Sequence, residues 1–167
     1  MLDQLANFFE RINDWSGRAL SWLTLLMVVT TFLIVVLRYG FNWGSIAMQE
    51  AVLYFHAAVF MGGVAYTLRL DGHVRVDIFY SQWSARAQAW VNLIGTLLFL
   101  LPFCAFILWS SFDYVIGSWA LLEGSREAGG LPLVFLLKSL IPLMAILLFL
   151  QGLAMLIRNL NTLRGAN

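Results

Sequence analysis

LPLVFLLKSLIPLMAILLFLQGLAMLI, residues 131–157, decides how the chain is read. Its one charged residue is Lys138, and Pro142 interrupts its apolar run. At ~1.5 Å per residue, a helix of this length crosses a hydrocarbon core about 30 Å thick. In lipid the backbone must satisfy its own hydrogen bonds, which leaves helices or closed barrels. A run this long and unbroken favours the helix. Three more runs of the same kind lie at about 19–41, 46–68 and 88–112. The expectation is an all-α integral membrane protein, one four-helix unit over residues 1–167.

Composition agrees. Hydrophobic residues make up 61% of the 167 and charged residues only 11%. A soluble domain carries about a quarter charged residues, so this chain has too little polar surface to face water all round. The net charge of +1 gives no electrostatic footprint for nucleic acid. The single cysteine, Cys104, has no partner for an internal disulfide and sits in an apolar run. It reads as a small buried hydrophobe.

Ahead of the first span, LDQLANFFERINDW (2–15) places Leu2, Leu5, Phe8, Phe9, Ile12 and Trp15 at helical spacing. That pattern predicts an amphipathic helix lying on the membrane surface. The first span is too long for a cleaved signal peptide, lacks a small-x-small site and is followed closely by a second span. Between spans two and three, RLDGHVRVDIFYSQWSARAQ (69–88) predicts a turn at Asp71–Gly72 and an interfacial arm. Its polar residues are Arg69, Asp71, His73, Arg75 and Asp77.

Arginines flank the spans unevenly. Arg11 and Arg18 precede span one, Arg69, Arg75 and Arg86 lie between two and three, and Arg158 and Arg164 follow four. The positive-inside rule then sets both termini in the cytoplasm. The 113–130 connection faces outward, and its Glu123, Arg126 and Glu127 are candidates for contact with a soluble partner.

Polar groups within the spans are functional candidates. Glu50 and Lys138 lie at similar depth below the outer face, with Arg38 near the end of span one. They predict a structural polar cluster in which Glu50 pairs with Lys138 or Arg38. Pro142 and Pro102 predict bends, with Ser139 placed to help satisfy backbone freed by Pro142. Ala58 and Gly62 form a small-xxx-small pair to which Gly63 adds, a surface for close helix contact. His56, near the middle of span two, reads as a hydrogen-bonded bundle histidine. The alternative is a haem ligand in a respiratory membrane anchor. No phosphate-binding loop, hydrolase elbow or metal-ligand set is present, so neither an enzyme nor a metal site is expected.

The ordered pattern resembles the small membrane subunit, DctQ-like, of tripartite ATP-independent periplasmic (TRAP) transporters. The likeness covers nearly the whole chain. It rests on the N-terminal helix, four spans, the Gln49–Glu50 pair opening span two, HVRVD (73–77) after it, and a Pro-containing fourth span ending LLFLQGLAMLIR (147–158). The resemblance implies a non-enzymatic subunit in a bacterial inner membrane. It implies two partners, a large elevator-type membrane subunit that carries the substrate and sodium sites, and a periplasmic receptor that captures an organic anion. This chain then holds no cofactor and no substrate.

Overall fold

The computed structural model describes residues 2–74 and 78–165. The order is α1 (Leu2–Gly40), α2 (Ile46–Arg69), a 3-10 turn (Tyr80–Gln82), α3 (Ala85–Gly95), a π turn (Thr96–Leu100), α4 (Leu101–Ala120) and α5 (Val134–Gly165). The helix α3, the π turn and α4 follow one another without a break and form one rod. Among the described residues, four helical rods are thus long and apolar enough to cross a membrane. The end that carries both chain termini is called the terminal end, and the opposite one the loop end.

α5 is the central helix. It packs against α1, α2, α3 and α4, whereas α1 and α2 pack mainly on each other and on α5. A third of the most apolar stretch of α5 is buried, against none of that of α1. Ala65, Cys104, Leu147 and Leu148 form the buried cluster, with Ile12, Leu100 and Met144 packed around it. Cys104 is fully buried, as expected of a small hydrophobe. All seven tryptophans are exposed, so the aromatic mass faces outward from the bundle.

The N-terminal segment differs from the sequence expectation. Residues 2–40 form one continuous helix of 39 residues rather than a surface helix joined to a span. Polar residues of its first turns face partners in the bundle. Asn13 is fully buried and donates through Nδ2 to Gln151 Oε1 at 2.9 Å. Arg158 of α5 binds Glu10 at 3.0 Å and Asn7 at 2.6 Å, and Asn161 donates to Asp3 at 2.6 Å. Asp14 pairs with Arg18 at 3.0 Å and with Arg69 of α2. These ties hold the first turns of α1 parallel to its apolar half. Arg69, expected in the arm, is therefore a bundle residue.

Both span-three and span-four prolines sit in helix that continues. Pro102 has no N–H to offer the preceding turn. The backbone widens into the π turn just before it, and the Leu101 N–H reaches Thr96 O. Gly152 of α5 receives this widened turn. A Cβ there would stand 2.9 Å from Leu101 Cδ2 and 3.2 Å from Leu100 Cδ2. α5 runs on through Pro142. Ser139, expected to serve the backbone freed by Pro142, instead donates to Phe135 O at 2.8 Å. Pro132 precedes α5, which begins at Val134.

Among the described residues, the arm holds a turn and a short 3-10 segment. Asp71 adopts φ 55°, and the Gly72 N–H reaches back to Thr67 O at 2.9 Å, closing α2. Ser84 caps α3 by accepting from Ala87 N at 3.3 Å. Val74, Ile78, Phe79 and Trp83 are exposed. Arg75 and Asp77, expected in the arm, lie outside the described residues.

Small residues set the α1–α2 contact. A Cβ on Gly17 would stand 2.3 Å from the Tyr66 ring, and one on Gly62 would stand 2.4 Å from Leu20 Cδ1. Gly62 is thus a packing residue as expected, but Gly63 faces open space. Overpacking a close contact costs ~1–3 kcal/mol. Gly17→Ala is expected to destabilise the detergent-solubilised protein by about that amount in thermal unfolding, and Gly95→Ala, with nothing within 4 Å, to be neutral.

Candidate functional site at the loop end

The connection 121–133 is the most polar part of the loop end, and its geometry starts at the end of α4. Leu122 adopts φ 43°. The Glu123 N–H bonds Ser118 O at 3.0 Å and the Leu122 N–H bonds Trp119 O at 3.1 Å. This is a Schellman ending with leucine where glycine is usual. It turns the chain back on itself and aims Glu123 into the bundle.

There the Glu123 carboxylate accepts from the Ser118 hydroxyl at 2.7 Å and from Lys138 Nζ. Lys138 Nζ also lies 3.9 Å from the centre of the Tyr114 ring. Its side chain is only 14% exposed and that of Glu123 30%. A shallow lysine at the start of α5 is thereby satisfied from two elements, the loop and α4. The Trp119 indole N–H donates to Ser139 Oγ at 2.8 Å, and its ring meets Phe135 edge-on at 4.6 Å.

Glu50 holds the other shoulder of the loop. Its carboxylate accepts from the Ser125 hydroxyl and from the Leu131 N–H, the latter at 2.6 Å. The Ser125 N–H donates to Leu131 O at 2.9 Å, so the loop closes on itself above Glu50. Gly130 makes the approach possible. A Cβ there would stand 2.4 Å from Ser125 Oγ and 2.8 Å from Glu50 Oε1.

The polar cluster of Arg38, Glu50 and Lys138 is therefore redrawn. Lys138 pairs with Glu123, not Glu50, and Glu50 takes neutral donors from the loop. Depth along two helices had suggested the pair, but the loop folds between them and supplies both sets of partners. Arg38 is exposed and lines an open groove with Asn42, Trp43, Ser45 and Gln49. Glu123, expected as an outward contact, points inward. Arg126 and Glu127 remain exposed at the loop tip, as do Ala128 and Gly129.

The two histidines do not come together. His56 is exposed on α2, and His73 lies past the end of that helix, at least ~20 Å further along at 1.5 Å per residue. Among the described residues no group of three His, Cys, Asp or Glu is placed to hold a metal. His56 stacks on Phe60, with ring centres 6.3 Å apart, and has no hydrogen bond among the described residues. The expected hydrogen-bonded bundle histidine is thus corrected to an outward one. The sequence reading missed Ser125, Gly130, Asn13 and Gln151 as partners. Glycine beside a loop and amides within apolar helices were the available signals.

The hydrogen bonds from Lys138 and then from Ser118 hold the Glu123 carboxyl below the usual carboxylate range. A depressed carboxyl contributes stability above its unfolded-state pKa and loses it as pH falls through the folded one. The clasp therefore persists at neutral pH and loosens only in acid. Removing one partner strands a partly buried charge. Lys138→Met is expected to lower the melting temperature by several degrees. Adding Glu123→Gln is expected to restore most of that loss, and adding Glu50→Gln to restore none of it. Thermal unfolding of the four proteins in detergent checks this.

Comparison with known families adds one match. The family described as "Tripartite ATP-independent periplasmic transporters, DctQ component" matches residues 27–162. No curated protein and no solved structure matches.

Proposed function

Because the chain belongs to the DctQ component family of tripartite ATP-independent periplasmic transporters, we propose that it is the small permease subunit of a sodium-coupled importer of an organic anion. It is a multi-pass membrane component of a transporter and not an enzyme. In this reading it serves as a fixed scaffold for a large, elevator-type membrane subunit. That subunit works with a soluble receptor that delivers the carboxylate.

The observation that carries the reading is the clasped loop. Its shoulders are tied to Glu50 and Lys138, while Arg126–Gly129 project into solvent. Ordering a loop before it binds lowers the entropy lost on docking. A tip held this way suits repeated, reversible contact with a soluble receptor. The described rods run as continuous helix through the middle of the bundle. Their buried cluster is apolar. Carriers bind cargo where helices break near the midplane. That contrast favours a scaffold over a cargo-binding subunit. The terminal end carries Arg11, Arg18, Arg69, Arg86, Arg158 and Arg164, which supports cytoplasmic termini in a bacterial inner membrane and a loop end that faces the periplasm.

Two measurements test this. Proteoliposomes with all three components and a sodium gradient are expected to take up the anion. Those without this chain, or with this chain alone, are expected not to, and uptake by the chain alone would sink the scaffold role. Arg126→Glu with Glu127→Lys is expected to weaken receptor-dependent uptake severalfold while membrane assembly stays unchanged. Unaltered uptake would remove the loop tip from the receptor contact.

A further inference from the structure

The outward face of α2 carries a stripe that lipid does not explain. Gln49, Leu53, His56, Phe60, Gly63 and Thr67 recur at alternating spacings of four and three. That spacing keeps them on one side of a helix and matches a heptad seam. The other faces of α2 are occupied. Gly62 and Tyr66 meet α1, and Ala65 lies in the buried cluster. Along the stripe, Leu53 is 62% and Phe60 66% exposed, Gln49 and His56 are exposed, and a Cβ on Gly63 would meet nothing within 4 Å.

His56 is the decisive residue. It stands ten residues from the start of α2 at Ile46, about 15 Å along the axis and so near the bilayer midplane. The middle stretches 19–37, 87–112 and 139–157 of the other rods contain no Asp, Glu, Lys, Arg or His. An exposed imidazole at that depth leaves a donor and an acceptor facing acyl chains that can answer neither. A protein surface can answer both.

We infer that this stripe is the face on which a transmembrane helix of the large membrane subunit docks, with His56 hydrogen-bonded to a polar group of that helix and a bulky side chain filling the gap at Gly63. The inference rests on the scaffold reading above. A second copy of this chain fits less well. Copies insert with one orientation, so a two-fold pair is parallel, and it would set Gly63 against Gly63 and leave the gap unfilled. Seam spacing of this kind favours a left-handed crossing near 20°.

The test uses native membranes in which the complete transporter is expressed. A benzoyl-phenylalanine photocrosslinker replacing Phe60 is expected to give an adduct with the large subunit, and one replacing Leu98, on the face of the third rod, is expected to give none. His56→Leu is expected to lower the large subunit retained on the tagged chain roughly threefold to tenfold, the worth of an interhelical hydrogen bond, and Gly63→Leu is expected to lower it by occupying the gap that the docked side chain needs. Gly95→Leu, also facing open space, serves as the control with unchanged retention. Thermal unfolding of each purified variant is expected to match wild type, which separates docking from folding. An adduct at twice the mass of this chain, crosslinking to lipid alone, or wild-type retention by Gly63→Leu would each overturn the inference. If the wild-type chain retains no large subunit at all, the scaffold reading itself fails.

Discussion

Lipid solvates the outside of this bundle, so hydrophobic burial cannot choose one helix arrangement over another as it does in water. The few polar groups must do that work. Each one left unmatched in hydrocarbon is costly, and most of them meet at the two ends of α5. At the terminal end Arg158, Asn161 and Gln151 take hold of α1. At the loop end Lys138 takes hold of Glu123 and the Tyr114 face. With both ends fixed, the apolar middle of α5 needs only close packing, which Gly152 and the π turn provide.

The two acidic groups at the loop end do different things. Glu123 neutralises a lysine that the start of α5 would otherwise present to lipid. Glu50 pairs with no cation among the described residues and instead gathers a hydroxyl and a backbone N–H from the loop. Gly130 and the left-handed Leu122 let the chain come close enough for both. The result is a loop whose base belongs to the bundle and whose tip belongs to solvent.

The spans were legible because length and hydropathy are properties of one segment. Span two, expected at 46–68, is Ile46–Arg69. Pairings were less legible because sequence gives depth along a helix but not the angle between helices. Glu50 and Lys138 share a depth, yet Glu123 reaches Lys138 from the following loop. The division of α1 failed for a related reason. Polar residues 3–14 looked like the wet side of a surface helix, but α2 and α5 supply their partners. The third rod runs to Ala120, past the expected 112, because the helix is closed only by the left-handed turn at Leu122.

The same physics separates the two outward surfaces. The middle of α1 exposes Leu25, Val29, Phe32 and Val36, which acyl chains can cover without loss. The stripe on α2 interrupts such residues with an imidazole and a gap. A chain that satisfies Lys138, Glu50 and Glu10 internally shows that its fold can match polar groups where needed. Leaving His56 unmatched on an outward face then points to a partner that completes it. The charged ends fix this subunit as a unit, and the uncompleted stripe gives that unit a direction in which to bind.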